Sequence, residues 1–345
     1  MSYLKTSEFD YELPDRLIAQ DPEAIRDESR LMVVPKGDES FQHRRFRDLV
    51  EYLRPGDVLV LNHTKVIPAR LMGVREDTGG QVEVLLLSKR EDLVWEVLVR
   101  PGRRARPGTV LLFGGGLLRG TVLESTEVGG RVIRFECREP FDQVLERVGR
   151  MPLPPYIRKY PADPRRYQTV YAEKEGSVAA PTAGLHFTGD LLDRIKAAGV
   201  KVATVLLHVG LGTFRPVSSE TVEEHRMHQE FYQITPETAA VINDAARDPR
   251  GRVIAVGTTT VRCLESGAEG PGLVRAGSGQ TDIFIYPGYE FKVVEGLVTN
   301  FHLPRSTLIM MVSAFAGRER ILRAYREAVE REYRFFSFGD AMLII

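Results

Sequence analysis

The 345-residue chain reads as an α/β protein, a layered α/β/α main domain with an inserted small all-β barrel domain. Three observations predict this. Six short β-rich runs separated by glycines fill the region from about residue 70 to residue 137. A Pro-rich stretch, "RMPLPPYIRKYPADP", follows them and is unsuited to regular structure, so it leads the chain back out of that unit. From Val178 onward capped helices alternate with continuous apolar runs, the pattern of strands buried on both faces. The main domain is accordingly assigned to residues 1–65 and 151–345, and the insert to residues 66–150.

In chain order, "GDVLVLN" supplies a first strand to the main sheet. The barrel runs are "RLMGVRE", "QVEVLLLSKR", "LVWEVLVRP", "TVLLF", "LLRGTVLE" and "RVIRFEC", and their spacing of roughly ten residues suits a small barrel or sandwich. Thr188 caps the helix "DLLDRIKAAG", with Asp190 favoured in the first turn and Gly199 as its stop. "VKVATVLLHVG" follows as a buried strand. Thr235 and Pro236 open the next helix, "TPETAAVINDAARD". The strand "RVIAVG" runs into the helix "TTTVRCLES". A strand "TDIFIY", the helices "STLIMMVSAFAG" and "RERILRAYREAVEREY", and a last strand "AMLII" complete the reading.

Apolar residues make up 43% and charged residues 27%, ordinary values for a globular chain of this size. The first residues lack the basic and apolar regions of a secretion signal, and the best apolar run, 308–316, is far too short to span a bilayer. Cys137 and Cys263 are remote in sequence, which argues against a disulfide framework and against a thiolate metal site. These features point to the cytoplasm. Net charge is zero, but arginines cluster locally. Arg103, Arg104 and Arg106 crowd one loop, and Arg158 and Arg166 flank "YPADP". Such clusters suit phosphate contacts or plain solvated surface.

The residues that carry chemistry gather at strand ends. "LHVGLGTFRPV" places His208, Gly210, Gly212, Thr213 and Arg215 after a buried strand, where open α/β sheets bind ligands. The third glycine of a dinucleotide fingerprint is missing. In "AVGTTTVRCLES", Thr258 and its neighbours open a helix whose N-terminus suits an anion. Arg262, in the first turn or so, opposes the helix dipole unless it meets a ligand or a buried carboxylate. "GLVTNFHLPRST" brings Asn300 and His302 between a strand and a helix capped by Ser306. "VAAPTAGLHFTGDLL" sets Thr182 and His186 in a cramped turn of small residues that a ligand can approach closely. His225 and His228, with Glu224 or Glu230, form a weak metal pattern that reads better as surface charge; no metal is expected.

Together "GSVAAPTAGLHFT", "LHVGLGTFRPV", "HRMHQEFYQI", "AVGTTTVRCLES", "GLVTNFHLPRSTLIMMVSAFAG", "MPLPPYI" and "RYQTVYA" closely resemble the S-adenosylmethionine:tRNA ribosyltransferase-isomerase family, in order and over essentially the whole chain. One departure lies in "LNHTKVIPARL", where His63 and Lys65 stand at positions that the family usually fills with Asp and Arg. The resemblance implies an α/β domain carrying a small inserted barrel. It also implies transfer of the ribosyl group of S-adenosylmethionine (AdoMet), a co-substrate, onto 7-aminomethyl-7-deazaguanine at the wobble position of tRNA. The products would be epoxyqueuosine in tRNA, adenine and methionine, made in queuosine biosynthesis.

Within that chemistry His186, His208 and His302 are the candidate acid–base groups. Thr182, Gly210, Gly212, Thr213, Thr258 and Asn300 would hold AdoMet, with Arg215 or Arg262 on its carboxylate. Arg103, Arg104, Arg106, Arg158 and Arg166 would meet tRNA. Two other classes stay open, an AdoMet-dependent tRNA methyltransferase and a non-catalytic RNA-binding module.

Overall fold

The computed structural model describes residues 3–37, 40–126, 129–210, 217 and 219–345. It folds as two compact units: Lys65–Pro154 with Glu175–Ala179, and Met1–Thr64 with Pro155–Lys174 and Ala180–Ile345.

The smaller unit is a barrel. Its six strands are Arg70–Arg75, Gln81–Glu91, Val94–Arg100, Val110–Phe113, Leu118–Ser125 and Arg131–Glu136. All six coincide with the β-rich runs of the sequence. Every pairing is antiparallel, and the sheet closes where Arg70–Arg75 also meets Val110–Phe113. Closure removes the free edges that would otherwise invite aggregation. At this seam Gly73 lies opposite Phe113, and a Cβ on Gly73 would stand 2.4 Å from the Phe113 ring. Only glycine lets the two strands meet there. Val82, Val84 and Leu86 alternate into the interior, as period-2 patterning requires. Helix α1, Phe141–Val148, sets the Phe141 ring against Trp95 and Phe135, at 6.0 and 5.6 Å between centroids.

The larger unit is built on a nine-stranded sheet. Its four central strands, Lys201–Leu207, Val58–Asn62, Val253–Val256 and Gly296–Asn300, run parallel in that spatial order. Ala341–Ile344 joins antiparallel, then Arg30–Val34 and Gln42–Arg45 complete one side. Glu230–Ile234 and Gly277–Thr281 complete the other, both antiparallel. Leu59, Leu61, Ile254, Val256 and Val298 share one face and pack with Leu191, Leu192 and Ile195 of helix α2, Gly189–Ala197. Their alternates Val58, Val60, Val253, Ala255 and Leu297 are equally buried. Helices α3 (Pro236–Arg247) and α4 (Thr258–Ser266) lie against the same strands outside that cluster. Both faces are therefore covered, which makes the main domain a three-layered α/β/α unit.

The expected caps form. Thr188, Thr235 and Ser306 accept from the amides of Leu191, Thr238 and Ile309, and Gly199 stops α2 at φ +81°. Helices α5 (Thr307–Ala316) and α6 (Arg318–Glu330) follow, hinged at Gly317. Among the described residues no helix is long and apolar enough to cross a membrane. One expected strand is corrected. "TDIFIY" contributes only Thr281, and the strand is Gly277–Thr281. The backbone beyond it is taken by side chains, Ile283 N donating to Thr281 Oγ1 and Ile283 O accepting from Arg262 Nε.

Candidate active site

The four parallel strands end together, and a cavity opens beside those ends within the larger unit. This is where an open α/β sheet assembles a site, because the loops after parallel strands diverge there. Val209, Gly257 to Thr259, and Thr299 to Leu303 line it from three of the strands. Ala180 to Ala183 close another wall with Tyr156, Ser306 and Phe336. Thr182, Thr258, Asn300 and His302 thus converge on one cavity, as residue types at strand ends suggested.

Gly257 turns the chain from strand to helix at φ +86°, a conformation that L side chains rarely adopt. Thr260 N and Val261 N both return to Gly257 O. The amides of Thr258 and Thr259 therefore head α4 at the cavity wall, with the positive end of the helix dipole behind them. Asn62 fastens the neighbouring strand ends. Its Nδ2 donates to Leu207 O at 2.9 Å and Thr259 Oγ1 at 3.2 Å, and its Oδ1 accepts from Leu207 N and Thr64 N.

The three histidines occupy different places. His208 is half-buried, stacks on Phe231 and shares a 2.8 Å hydrogen bond between Nδ1 and Thr64 Oγ1. Its Nε2 has no partner among the described residues. Burial, and His63 nearby, hold its pKa below the usual value. His302 lines the cavity, with Nε2 at 2.7 Å from Thr299 Oγ1, and burial pushes it down to about 3.

His186, like His208, does not line the cavity. Its Nδ1 lies 2.7 Å from Ser29 Oγ and its Nε2 3.3 Å from Asn300 Nδ2. Its ring stacks on Phe46 at 4.9 Å. Burial, with Arg26 and Arg334 adding repulsion, lowers it to about 3. With both nitrogens engaged, it is a poor candidate for the proton acceptor. His63 keeps Nδ1 buried and, among the described residues, unpartnered, and burial lowers its pKa too.

These depressed values make stability sensitive to acid. His186 and His302 titrate near 3 when folded and near 6.5 when unfolded. Between those values only the unfolded chain binds the proton, so the contribution is complete above about pH 6.5 and is lost as pH falls toward 3. Going from pH 7 to 5.5 should cost about 2–3 kcal/mol for the two rings. Urea melts at the two pH values check this, and equal unfolding free energies would contradict it.

Arg262 meets the buried carboxylate that its place in α4 demanded. It is 2% exposed and is paired with Glu230, 5% exposed, which engages the guanidinium that the sequence offered to the AdoMet carboxylate. Glu230 also accepts from Gly210 N at 2.8 Å, so this ion pair fixes the chain where it leaves the sheet. Glu230 is not the surface charge that its sequence context suggested. Gly212, Thr213 and Arg215 lie outside the described residues. His225 and His228 sit in irregular backbone, and among the described residues no group of three His, Cys, Asp or Glu side chains could hold a metal.

The arginines divide as well. Arg103 and Arg106 are exposed on the barrel, whereas Arg104 donates to Gln81 O. Arg158 is exposed beside Asp15 at 3.6 Å. Arg166 is spent on the backbone oxygens of Ala24 and Glu23, which explains its place in the fold without RNA. The sequence reading missed Tyr156, Thr299 and Phe336 as cavity residues. Phe336 takes φ +70°, rare for a bulky residue, and its carbonyl accepts from Asn300 Nδ2 at 2.9 Å. No local pattern announces that bond.

A family model described as "Queuosine biosynthesis protein" matches residues 6–344. The S-adenosylmethionine:tRNA ribosyltransferase-isomerases of Pelotomaculum thermopropionicum and Desulforamulus reducens are 63% and 60% identical, each over 99% of this chain and 100% of the relative. The crystal structure of S-adenosylmethionine tRNA ribosyltransferase from Thermotoga maritima matches with a TM-score of 0.57 and 43% identity, covering 98% of this chain and 100% of that one. With that full-length likeness on an α/β unit whose cavity sits at the parallel strand ends, the chain belongs to the queuosine biosynthesis protein family.

Proposed function

We infer that the protein is an S-adenosylmethionine:tRNA ribosyltransferase-isomerase acting in queuosine biosynthesis. The observation that carries this reading is about 60% identity, end to end, to relatives bearing that name. AdoMet donates its ribosyl group, and the acceptor is the aminomethyl group of 7-aminomethyl-7-deazaguanine in the anticodon loop. We place the reaction in the cytoplasm.

The sulfonium of AdoMet acidifies the C5′ protons, and a base of near-neutral pKa starts the reaction by removing one. We take His208 as this base because, of the three histidines, it alone combines partial exposure with an open nitrogen, although it stands next to the cavity-lining Val209 and does not itself line the cavity. His302 stays neutral and serves as a hydrogen-bond partner rather than a proton carrier. The amides of Thr258 and Thr259 suit the methionine carboxylate, since the Arg262 guanidinium is engaged by Glu230. Thr182 and Asn300 suit the ribose hydroxyls. Adenine then departs, helped by protonation, and the acceptor amine attacks the rearranged sugar as methionine leaves. The acceptor base lies in a single-stranded loop, where it unstacks at lower cost than in a duplex. Arg103, Arg106 and Arg158 are the exposed cations offered to the tRNA backbone.

The test is product analysis. With AdoMet and tRNA carrying the modified base, the enzyme should release free adenine, and without that tRNA it should not. S-adenosylhomocysteine in amounts equal to methylated tRNA would favour the methyltransferase reading instead. Retention of tRNA with no adenine would favour a binding module.

A further inference from the structure

Asn300 is 2% exposed and lines the cavity, and its Oδ1 is buried without a hydrogen-bond partner among the described residues. A buried amide oxygen left unpaired is costly, so an acceptor held this way marks a place for a donor. What holds it can be traced proton by proton. Phe336 O, a carbonyl, can only accept, and it lies 2.9 Å from one end of the Asn300 amide, which must therefore be the nitrogen. That same nitrogen lies 3.3 Å from His186 Nε2, so Nε2 is the unprotonated acceptor and the ring proton is on Nδ1.

The far side of the ring agrees. Ser29 Oγ donates its single hydrogen to Arg26 O at 3.3 Å, which leaves the oxygen free to accept Nδ1–H at 2.7 Å. Ser29 and His186 are 1% and 5% exposed, and Phe46 stacks on the imidazole. No freedom remains for the Asn300 amide to flip.

We propose that His186 is a positioning residue: with Ser29 it locks the Asn300 amide so that Oδ1 faces the cavity as an acceptor for a hydroxyl or ammonium group of bound AdoMet. This rests on the ribosyl-donor reading of the cavity. A ring that donates at Nδ1 and accepts at Nε2 conveys the orientation of the Ser29 hydroxyl to an amide 271 residues further along the chain (300 − 29). Burial keeps the ring neutral, so the lock holds throughout the working pH range.

The experiment measures AdoMet binding to the tRNA-free enzyme by calorimetry, then kcat and KM with tRNA across pH. His186→Leu, which cannot accept from Asn300, should weaken AdoMet binding about 10- to 100-fold. His186→Gln, whose amide oxygen can replace Nε2, should stay within about 5-fold of wild type. Ser29→Ala removes one oxygen and leaves the ring, so it informs even if His186→Leu does not fold. It should weaken binding by several-fold without changing the acid limb of the pH profile.

Equal losses in His186→Gln and His186→Leu would overturn the proposal, as would wild-type AdoMet affinity in Ser29→Ala. So would intact binding with loss of the acid limb in His186→Gln, which would make the ring the proton acceptor. Failure of the wild-type enzyme to release adenine from AdoMet with the modified tRNA present would instead sink the ribosyl-donor reading itself.

Discussion

Arg262→Ala is expected to lower unfolding free energy by about 3–5 kcal/mol, because it strands the Glu230 carboxylate in the protein interior. Both side chains are 3% exposed, and neither can recruit bulk water when its partner is removed. Glu230→Ala should do comparable damage from the other side, leaving the guanidinium with the carbonyls of Ile283 and Thr281. The loss reflects an unpaired charge more than the worth of the pair. The double variant Arg262→Met with Glu230→Leu should therefore recover more than half of it. Urea unfolding followed by circular dichroism measures all three. A loss under about 1 kcal/mol for Arg262→Ala would mean that solvent reaches the pair and that it does not anchor the strand end at Gly210.

His208→Ala is expected to slow turnover by roughly 100- to 10,000-fold, the usual effect of losing a general base. In wild type the rate should fall on the acid side with an apparent pKa below 6.5, since burial and the His63 ring disfavour the protonated form. That limb should vanish in His208→Ala. Thr64→Val keeps the ring but removes its Nδ1 partner, so a smaller loss is expected, with the limb retained. With AdoMet dideuterated at C5′, wild type should lose one deuterium from the transferred sugar. Near-normal turnover and an unchanged acid limb in His208→Ala would remove this histidine from the chemistry.

Much of the fold is legible in the sequence because local signals agreed with the global structure. The six barrel strands alternate cleanly and are punctuated by glycine, and each helix cap sits beside the first apolar turn that it serves. The reading failed where remote side chains decide the backbone. The apolar run Ile283, Phe284 and Ile285 looks like a strand, yet Arg262 occupies the Ile283 carbonyl that such a strand would need.

The site shows the same division. Strand-end polar residues were legible as a group, since open α/β sheets put ligands there. The helix dipole foretold that Arg262 needs an anion, but nothing local identified Glu230, 32 residues earlier. His186 looked like a reactive residue in a cramped turn. Its partners stand 157 residues before it and 114 after it, beyond the reach of any local pattern.

The most direct test of the central claim uses AdoMet carrying carbon-14 in its ribosyl group and tritium in its methyl group. After reaction with tRNA bearing 7-aminomethyl-7-deazaguanine, the recovered tRNA should hold carbon-14 alone, with the tritium released in free methionine. Tritium in the tRNA and carbon-14 left behind in S-adenosylhomocysteine would contradict it.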